Sequence, residues 1–242
     1  MNIVVFGSNS KTFSSIMSEI GHKYKIFGIS RRENSKNNSL LHKHLKLDLL
    51  NFEEGYLEDI LTEFQPDCFI SMVRYRSHQE TGNKLAQSLE TELKPLIIVR
   101  NWLSKNPPIK PISIILASSV AGTQYRPDLP IEYSVTKAAT EKFLTSIDSE
   151  FPISTKQMVW PNIINFSEYE LLSYARKHST TEFKNYKSKI IPFIGQMTNE
   201  NHISKVFETL IEANKFGLRR QRITVDSGLS DFSMLTSLEM TK

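Results

Sequence analysis

Short apolar runs rich in isoleucine and valine punctuate the chain at Ile3–Phe6, Lys25–Ile29, Asp67–Val73, Ile112–Ala117 and Thr155–Trp160, with Ile223–Val225 as a last strand. Between them lie stretches long enough for helices: Thr12–Ile20, Phe52–Phe64, Lys84–Leu103, Ser134–Ile147 and Ile203–Ala213. Strands that alternate with helices imply βαβ units and a parallel sheet covered on both faces. The pattern predicts one doubly wound, Rossmann-like α/β domain over residues 1–242. In such sheets ligands bind beyond the carboxyl ends of the strands, so the segments that follow each strand are where function is sought.

Composition narrows the class. The 242 residues carry 39% hydrophobic and 23% charged side chains, which excludes a disordered or collagen-like chain. No apolar run approaches the ~20 residues that span a bilayer. The start, MNIVVFGSNS, lacks the basic and long apolar stretches of a secretory signal. A single cysteine, Cys68, excludes a disulfide framework and a cysteine-based zinc site. These features point to the cytoplasm. The net charge of +4 is small and its basic residues are dispersed, so a solvated surface is preferred to a nucleic-acid or membrane partner.

The first strand ends at Phe6 and leads through Gly7, Ser8, Asn9, Ser10, Lys11, Thr12 and Phe13 into a helix. A glycine permits the sharp turn, and a helix N-terminus presents free N–H groups to phosphate. Ser10, Thr12 and Ser14 suit either a helix cap or phosphate oxygens. A P-loop does not fit, because the spacing is one residue short and Ser10 stands where a glycine must precede the lysine. After the second strand come Arg31 and Arg32. An acidic residue there would hold a ribose 2′-hydroxyl, whereas arginine accommodates a 2′-phosphate, so the pair favours NADP over NAD. Asp48 suits an adenine edge or a cap on the following helix.

The most informative stretch is Ile114–Gly122 (IILASSVAG), followed by Tyr133-Ser134-Val135-Thr136-Lys137. A spacing of four puts Tyr133 and Lys137 on one helix face. A nearby ammonium favours the phenolate, which suits a tyrosine acting as general acid to a carbonyl or general base to an alcohol. The serine pair at the end of a buried strand supplies the place where a carbonyl would bind.

These segments together resemble the short-chain dehydrogenase/reductase family along nearly the whole chain. Ser119, Tyr133 and Lys137 match its Ser, Tyr and Lys. Asp48-Leu49 matches its adenine-contacting pair, Trp160-Pro161-Asn162 its Pro-Gly turn after the sixth strand, and residues 223–228 (ITVDSG) its closing motif. The resemblance implies a mainly parallel seven-stranded sheet with helices on both faces, a nicotinamide cofactor and a small carbonyl or alcohol substrate. Tyr133 would transfer the proton, Lys137 would hold the nicotinamide ribose and tune Tyr133, and Ser119 would hydrogen-bond the reacting oxygen. The implied cofactor residues are Gly7, Ser8, Asn9, Ser10, Lys11, Thr12, Phe13, Arg31, Arg32, Asp48, Leu49, Ser71 and Pro161, with Tyr133 and Lys137. NADP is the preferred cofactor and NAD the alternative. A homodimer or homotetramer through the helices at Lys84–Leu103 and Ser134–Ile147 is also implied.

The chain departs from the family in its cofactor cradle. The family's second and third glycines fall on Lys11 and Phe13, so the loop is expected to take another path, with close helix–strand packing in question. Its Asn-Asn-Ala-Gly falls on Ile70-Ser71-Met72-Val73. Its relay-supporting asparagine falls near Glu92, which either serves a relay or marks its absence. A non-catalytic nucleotide-binding or interaction protein on the same fold is therefore the alternative. Residues 166–189, polar and aromatic, correspond to the substrate cap and suit a hydroxylated or anionic substrate. Arg74-Tyr75-Arg76 lies where cofactor or substrate passes, or is simply surface. His42-x-His44 reads as a solvated loop rather than a metal site, and Cys68 as core.

Overall fold

Strand β1 (Asn2–Phe6) shows why the apolar runs are continuous rather than alternating. Ile3 and Val5 point into one core layer and Val4 and Phe6 into the other, all buried. A strand sandwiched between two helical layers has no polar face to offer. The computed structural model describes residues 1–33, 38–52, 54–75, 83–123, 129–153, 156–157, 159–166, 200–212, 222–225 and 235–236.

In chain order the remaining sheet strands are β2 (Lys25–Ser30), β3 (Lys43–Lys46), β4 (Cys68–Ser71), β5 (Ile112–Ser119), β8 (Val159–Phe166), β9 (Arg222–Val225) and β10 (Leu235–Thr236). A separate antiparallel ribbon is formed by β6 (Pro152–Ile153) and β7 (Lys156–Gln157). The sheet order is β10-β9-β8-β5-β4-β1-β2-β3. Its first seven strands in chain order pair parallel, and the two-residue β10 adds an antiparallel edge to β9. The expected seven-stranded, mainly parallel, doubly wound sheet is thus present. Its order reverses between β1 and β4, opening the crevice in which such sheets bind ligands.

Helices α1 (Lys11–Ile20) and α5 (Glu200–Ile211) cover one face through Phe13, Ile16, Met17, Phe207 and Leu210. Helices α2 (Glu54–Phe64), α3 (Lys84–Lys105) and α4 (Ile131–Glu150) cover the other through Leu57, Leu61, Leu96, Val99, Trp102 and Leu144. Cys68 is fully buried, as expected, and its burial pushes the thiol up well out of the reactive range. Among the described residues no helix is long and apolar enough to cross a membrane.

Two local expectations are corrected. The segment with His42 and His44 is not a loop. β3 starts at Lys43, and His44 Nε2 lies 2.9 Å from Ser30 Oγ on the neighbouring β2. Its sequence, KHLK, carries little apolar signal because β3 is an edge strand, half open to water. Trp160-Pro161-Asn162 is not a turn after the sixth parallel strand but part of that strand. Pro161 pairs with Ile114 and Asn162 with Ile115, and β8 continues to Phe166. Proline is tolerated here because the described pairing of β8 with β9 begins only at Ile163. Asn162 is fully buried, and its side-chain amide donates to Ser113 Oγ at 3.3 Å.

Gly7 takes φ +83°, and a Cβ there would come within 2.9 Å of the Met72 carbonyl carbon. Gly7→Ala is therefore expected to cost about 1–2 kcal/mol from the backbone angle alone, and more from the contact. In thermal denaturation that means a Tm lower by at least about 2 °C; an unchanged Tm would contradict it.

Candidate active site

At the β1 end the chain turns without a glycine-rich loop. The Gly7 N–H donates to Ile29 O at 2.8 Å and the Ser10 N–H to Gly7 O at 3.1 Å, closing a tight turn. Ser10 caps α1, its Oγ accepting the Phe13 N–H at 3.0 Å and its carbonyl the Ser14 N–H at 3.1 Å. Lys11 opens the helix and takes no left-handed conformation, so the expected alternative path is the one observed. Phe13 lies fully buried in the core and its N–H serves Ser10, so neither group faces a ligand. Helix and sheet still pack closely there. Ser8 is also turned inward, since a Cβ on Gly28 would fall 2.7 Å from its Oγ. The first-turn N–H groups of Lys11 and Thr12 are the donors that no described hydrogen bond uses.

Beside this turn Arg31 and Arg32 follow β2, both exposed. Asn9 Nδ2 reaches the Glu33 carbonyl at 3.4 Å, tying the two loops together. Ser30 Oγ donates to the Arg32 carbonyl at 2.7 Å, which fixes the arginine pair's backbone. Asp48 stabilises its own turn, with Oδ1 accepting the Leu50 N–H at 3.1 Å and its carbonyl the Asn51 N–H at 3.0 Å. Leu49 packs against the second core layer. Ser71 is the last residue of β4 and is buried between β1 and β5. Pro161, inside β8, is away from the strand's carboxyl end.

Two strands from β1 in the sheet, β5 ends at Ser119, which is buried and caps the short turn Val120–Gly122, its Oγ accepting the Ala121 N–H at 3.2 Å. Helix α4 rises directly against that turn. A Cβ on Gly122 would fall 3.2 Å from Lys137 Cβ and 3.0 Å from Glu141 Oε1, so the helix approaches the turn closely where glycine has no side chain. Tyr133 and Lys137 share one face of α4, and the Lys137 Nζ lies 5.5 Å from the Tyr133 ring centroid. Ser118, adjacent to Ser119, donates instead to Glu141, whose other oxygen accepts from Arg222 of β9. That network ties α4 to both β5 and β9.

Two further residues complete the site. Glu92 of α3 is 2% exposed and Lys137 3% exposed. The Lys137 ammonium donates to Glu92 Oε2 at 2.7 Å, and the Tyr75 N–H donates to Glu92 Oε1 at 2.9 Å. Glu92 therefore neutralises Lys137 and pins the segment after β4. Next to Tyr75, the exposed Arg74 places its guanidinium carbon 4.5 Å from the Tyr133 ring centroid. The sequence singled out both residues but left their roles open. A carboxylate in the middle of a helix, three residues before Pro95, gives no local sign that it faces a lysine 45 positions away.

Among the described residues no group of histidine, cysteine and carboxylate side chains is arranged to hold a metal ion. The cap at 166–189, the closing residues 226–228 and Arg76 lie outside the described residues, save the backbone of Phe166.

No family model and no curated protein sequence matches the chain. Solved structures do. A ligand-free aldohexose dehydrogenase of Thermoplasma acidophilum is similar at 12% identity and TM-score 0.72, over 96% of this chain and 94% of that one. The actinorhodin polyketide ketoreductase with NADPH is similar at 16% identity and TM-score 0.71, over 96% and 97%. A short chain oxidoreductase from Pseudomonas aeruginosa PAO1, described as containing an atypical catalytic center, is similar at 15% identity and TM-score 0.72, over 96% and 98%. The chain thus has the fold of the short-chain dehydrogenase/reductases.

Breaking a buried ion pair from one side leaves an uncompensated charge. Glu92→Gln should lower stability by about 3–5 kcal/mol. The double variant Glu92→Leu with Lys137→Met, of similar volume and no charge, should recover most of that loss. Urea unfolding of the two variants distinguishes them, and equal losses would show that the pair's charge is not the cause.

Proposed function

We propose that this chain is a divergent short-chain dehydrogenase/reductase, an oxidoreductase that interconverts a carbonyl and an alcohol with a nicotinamide cofactor. The observation that carries this reading is that Tyr133 and Lys137 share one face of α4, and that α4 packs against the turn that Ser119 starts at the carboxyl edge of β5, in the fold whose solved members include dehydrogenases and reductases.

The donor set of the cradle fits a dinucleotide. Two first-turn N–H groups of α1 suit pyrophosphate, and two exposed arginines beside them suit a 2′-phosphate. NADP(H) is accordingly the preferred form and NAD(H) the alternative. When bound, the nicotinamide supplies or accepts the hydride. Tyr133 gives its phenolic proton to the carbonyl oxygen in reduction and takes it back in oxidation. Ser119 holds that oxygen, and Lys137 orients the phenol from the same helix face. The pairing of α3 and α4 to a second copy belongs to the same reading, with Ile131 and Val135 as exposed apolar surface one turn apart on α4.

Glu92 favours one competing reading, a nucleotide-binding protein without catalysis, because it engages the ammonium that a ribose would otherwise receive.

Two outcomes test the proposal. Titration with NADPH and NADH, followed by nicotinamide fluorescence, should show tighter NADPH binding that weakens about tenfold in Arg31→Ala or Arg32→Ala. Equal affinities, unmoved by either change, would remove the cofactor preference. Tyr133→Phe should lose at least about a hundredfold in turnover, the contribution of a positioned acid, with nucleotide affinity nearly unchanged. Full turnover in that variant would remove Tyr133 from the proton transfer.

A further inference from the structure

We propose that Arg74 is a carboxylate-binding residue and that the substrate is an oxo acid, or the hydroxy acid formed from it, with its carboxylate one or two carbons from the carbonyl. This rests on the oxidoreductase reading of Tyr133 and names the substrate class of that site.

Two cations flank the phenol, and they are not equivalent. Lys137 is buried and held at 2.7 Å by a buried carboxylate, so its charge is already balanced. Arg74 is exposed, lies 4.5 Å from the Tyr133 ring centroid, and takes part in no ion pair with the described residues. The exposed positive charge against the Tyr133 ring therefore belongs to Arg74. Its planar fork presents paired N–H donors that match a carboxylate bidentately, which an ammonium cannot do.

The backbone that carries Arg74 is fixed as well. Tyr75, the next residue, has its N–H held by Glu92, and Met72, two residues before, donates its N–H to Phe6 O at 2.9 Å. One buried carboxylate thus positions both Lys137 and the segment bearing Arg74. A guanidinium against the face of the tyrosine ring stands within a short molecule's length of the phenol oxygen. The span accommodates two hydrogen bonds of about 2.8 Å, one from Tyr133 to a carbonyl oxygen and one from Arg74 to a carboxylate on the adjacent or next carbon. In reduction the carbonyl carbon gains the hydride and its oxygen gains the Tyr133 proton, giving the hydroxy acid. The carboxylate stays ionised on Arg74 throughout, and the reductant is the dihydronicotinamide of the proposed function.

Matched probes test this: pyruvate and acetoacetate against their methyl esters. With NADPH, the wild type should prefer acid over ester at least tenfold in kcat/KM. Arg74→Gln should reduce that ratio to about one, and Arg74→Lys should retain part of it. Separately, phenylglyoxal labelling of Arg74, read by mass spectrometry on the wild-type protein with NADP present, should be slowed by the acids and not by the esters. No acid preference in the wild type, a preference kept in Arg74→Gln, or labelling indifferent to the acids would each overturn the proposal. Protection by the acids without any nicotinamide oxidation would instead count against the oxidoreductase reading and leave the carboxylate site standing.

Discussion

The contact between Lys137 and Glu92 ties together the elements that make the site. Two charges have been taken out of water to form it, which costs several kcal/mol per ion unless both are met by close, hydrogen-bonded partners. Here the ammonium meets one carboxylate oxygen and the Tyr75 backbone meets the other. The pair fixes the register of α4 against α3, supported one turn away by the hydrogen bond from Thr136 to Ser88 at 2.9 Å. It also anchors the chain leaving β4. Tyr133 and Arg74 inherit their positions from the two ends of that arrangement.

The turn from β1 into α1, at the other side of the crevice, is built by a different device from the glycine-rich turn of the family that the sequence resembles. One glycine, Gly7, carries both the positive φ and the close approach to β4. Ser10 then starts the helix by capping it, and Phe13 fills the space beneath it with a fully buried ring. Stability is drawn from a cap and a core aromatic, while the first-turn N–H groups still point out of the helix. Lysine at the helix start is consistent with this, because an ordinary helical backbone carries no penalty for a side chain.

The depth of the core explains which parts of the chain were readable. β1, β4 and β5 are central and buried on both faces, so their apolar runs stand out. The edge strand β3, with the sequence KHLK, has one side open and gives almost no hydrophobic signal. The observed β8 runs past the expected Thr155–Trp160 to Phe166, through Pro161 and Asn162, two residues that mask its apolar pattern. The proline has no N–H for a ladder, and the buried asparagine donates its side-chain amide to Ser113 on the neighbouring strand. A polar residue satisfied by a distant partner looks, in one dimension, like a loop.

The sequence by itself determined the alternation of strands and helices, the turn at Gly7, and the pairing of Tyr133 with Lys137, because each depends on neighbours within a turn of helix or along one strand. The charge state of the site depended on tertiary structure alone. Glu92 meets Lys137 across 45 residues, and Arg74 meets Tyr133 from another strand end. Electrostatic energy falls with distance in space, not along the chain, so which cation is balanced and which is left exposed was decided only when the sheet brought α3, α4 and the end of β4 together.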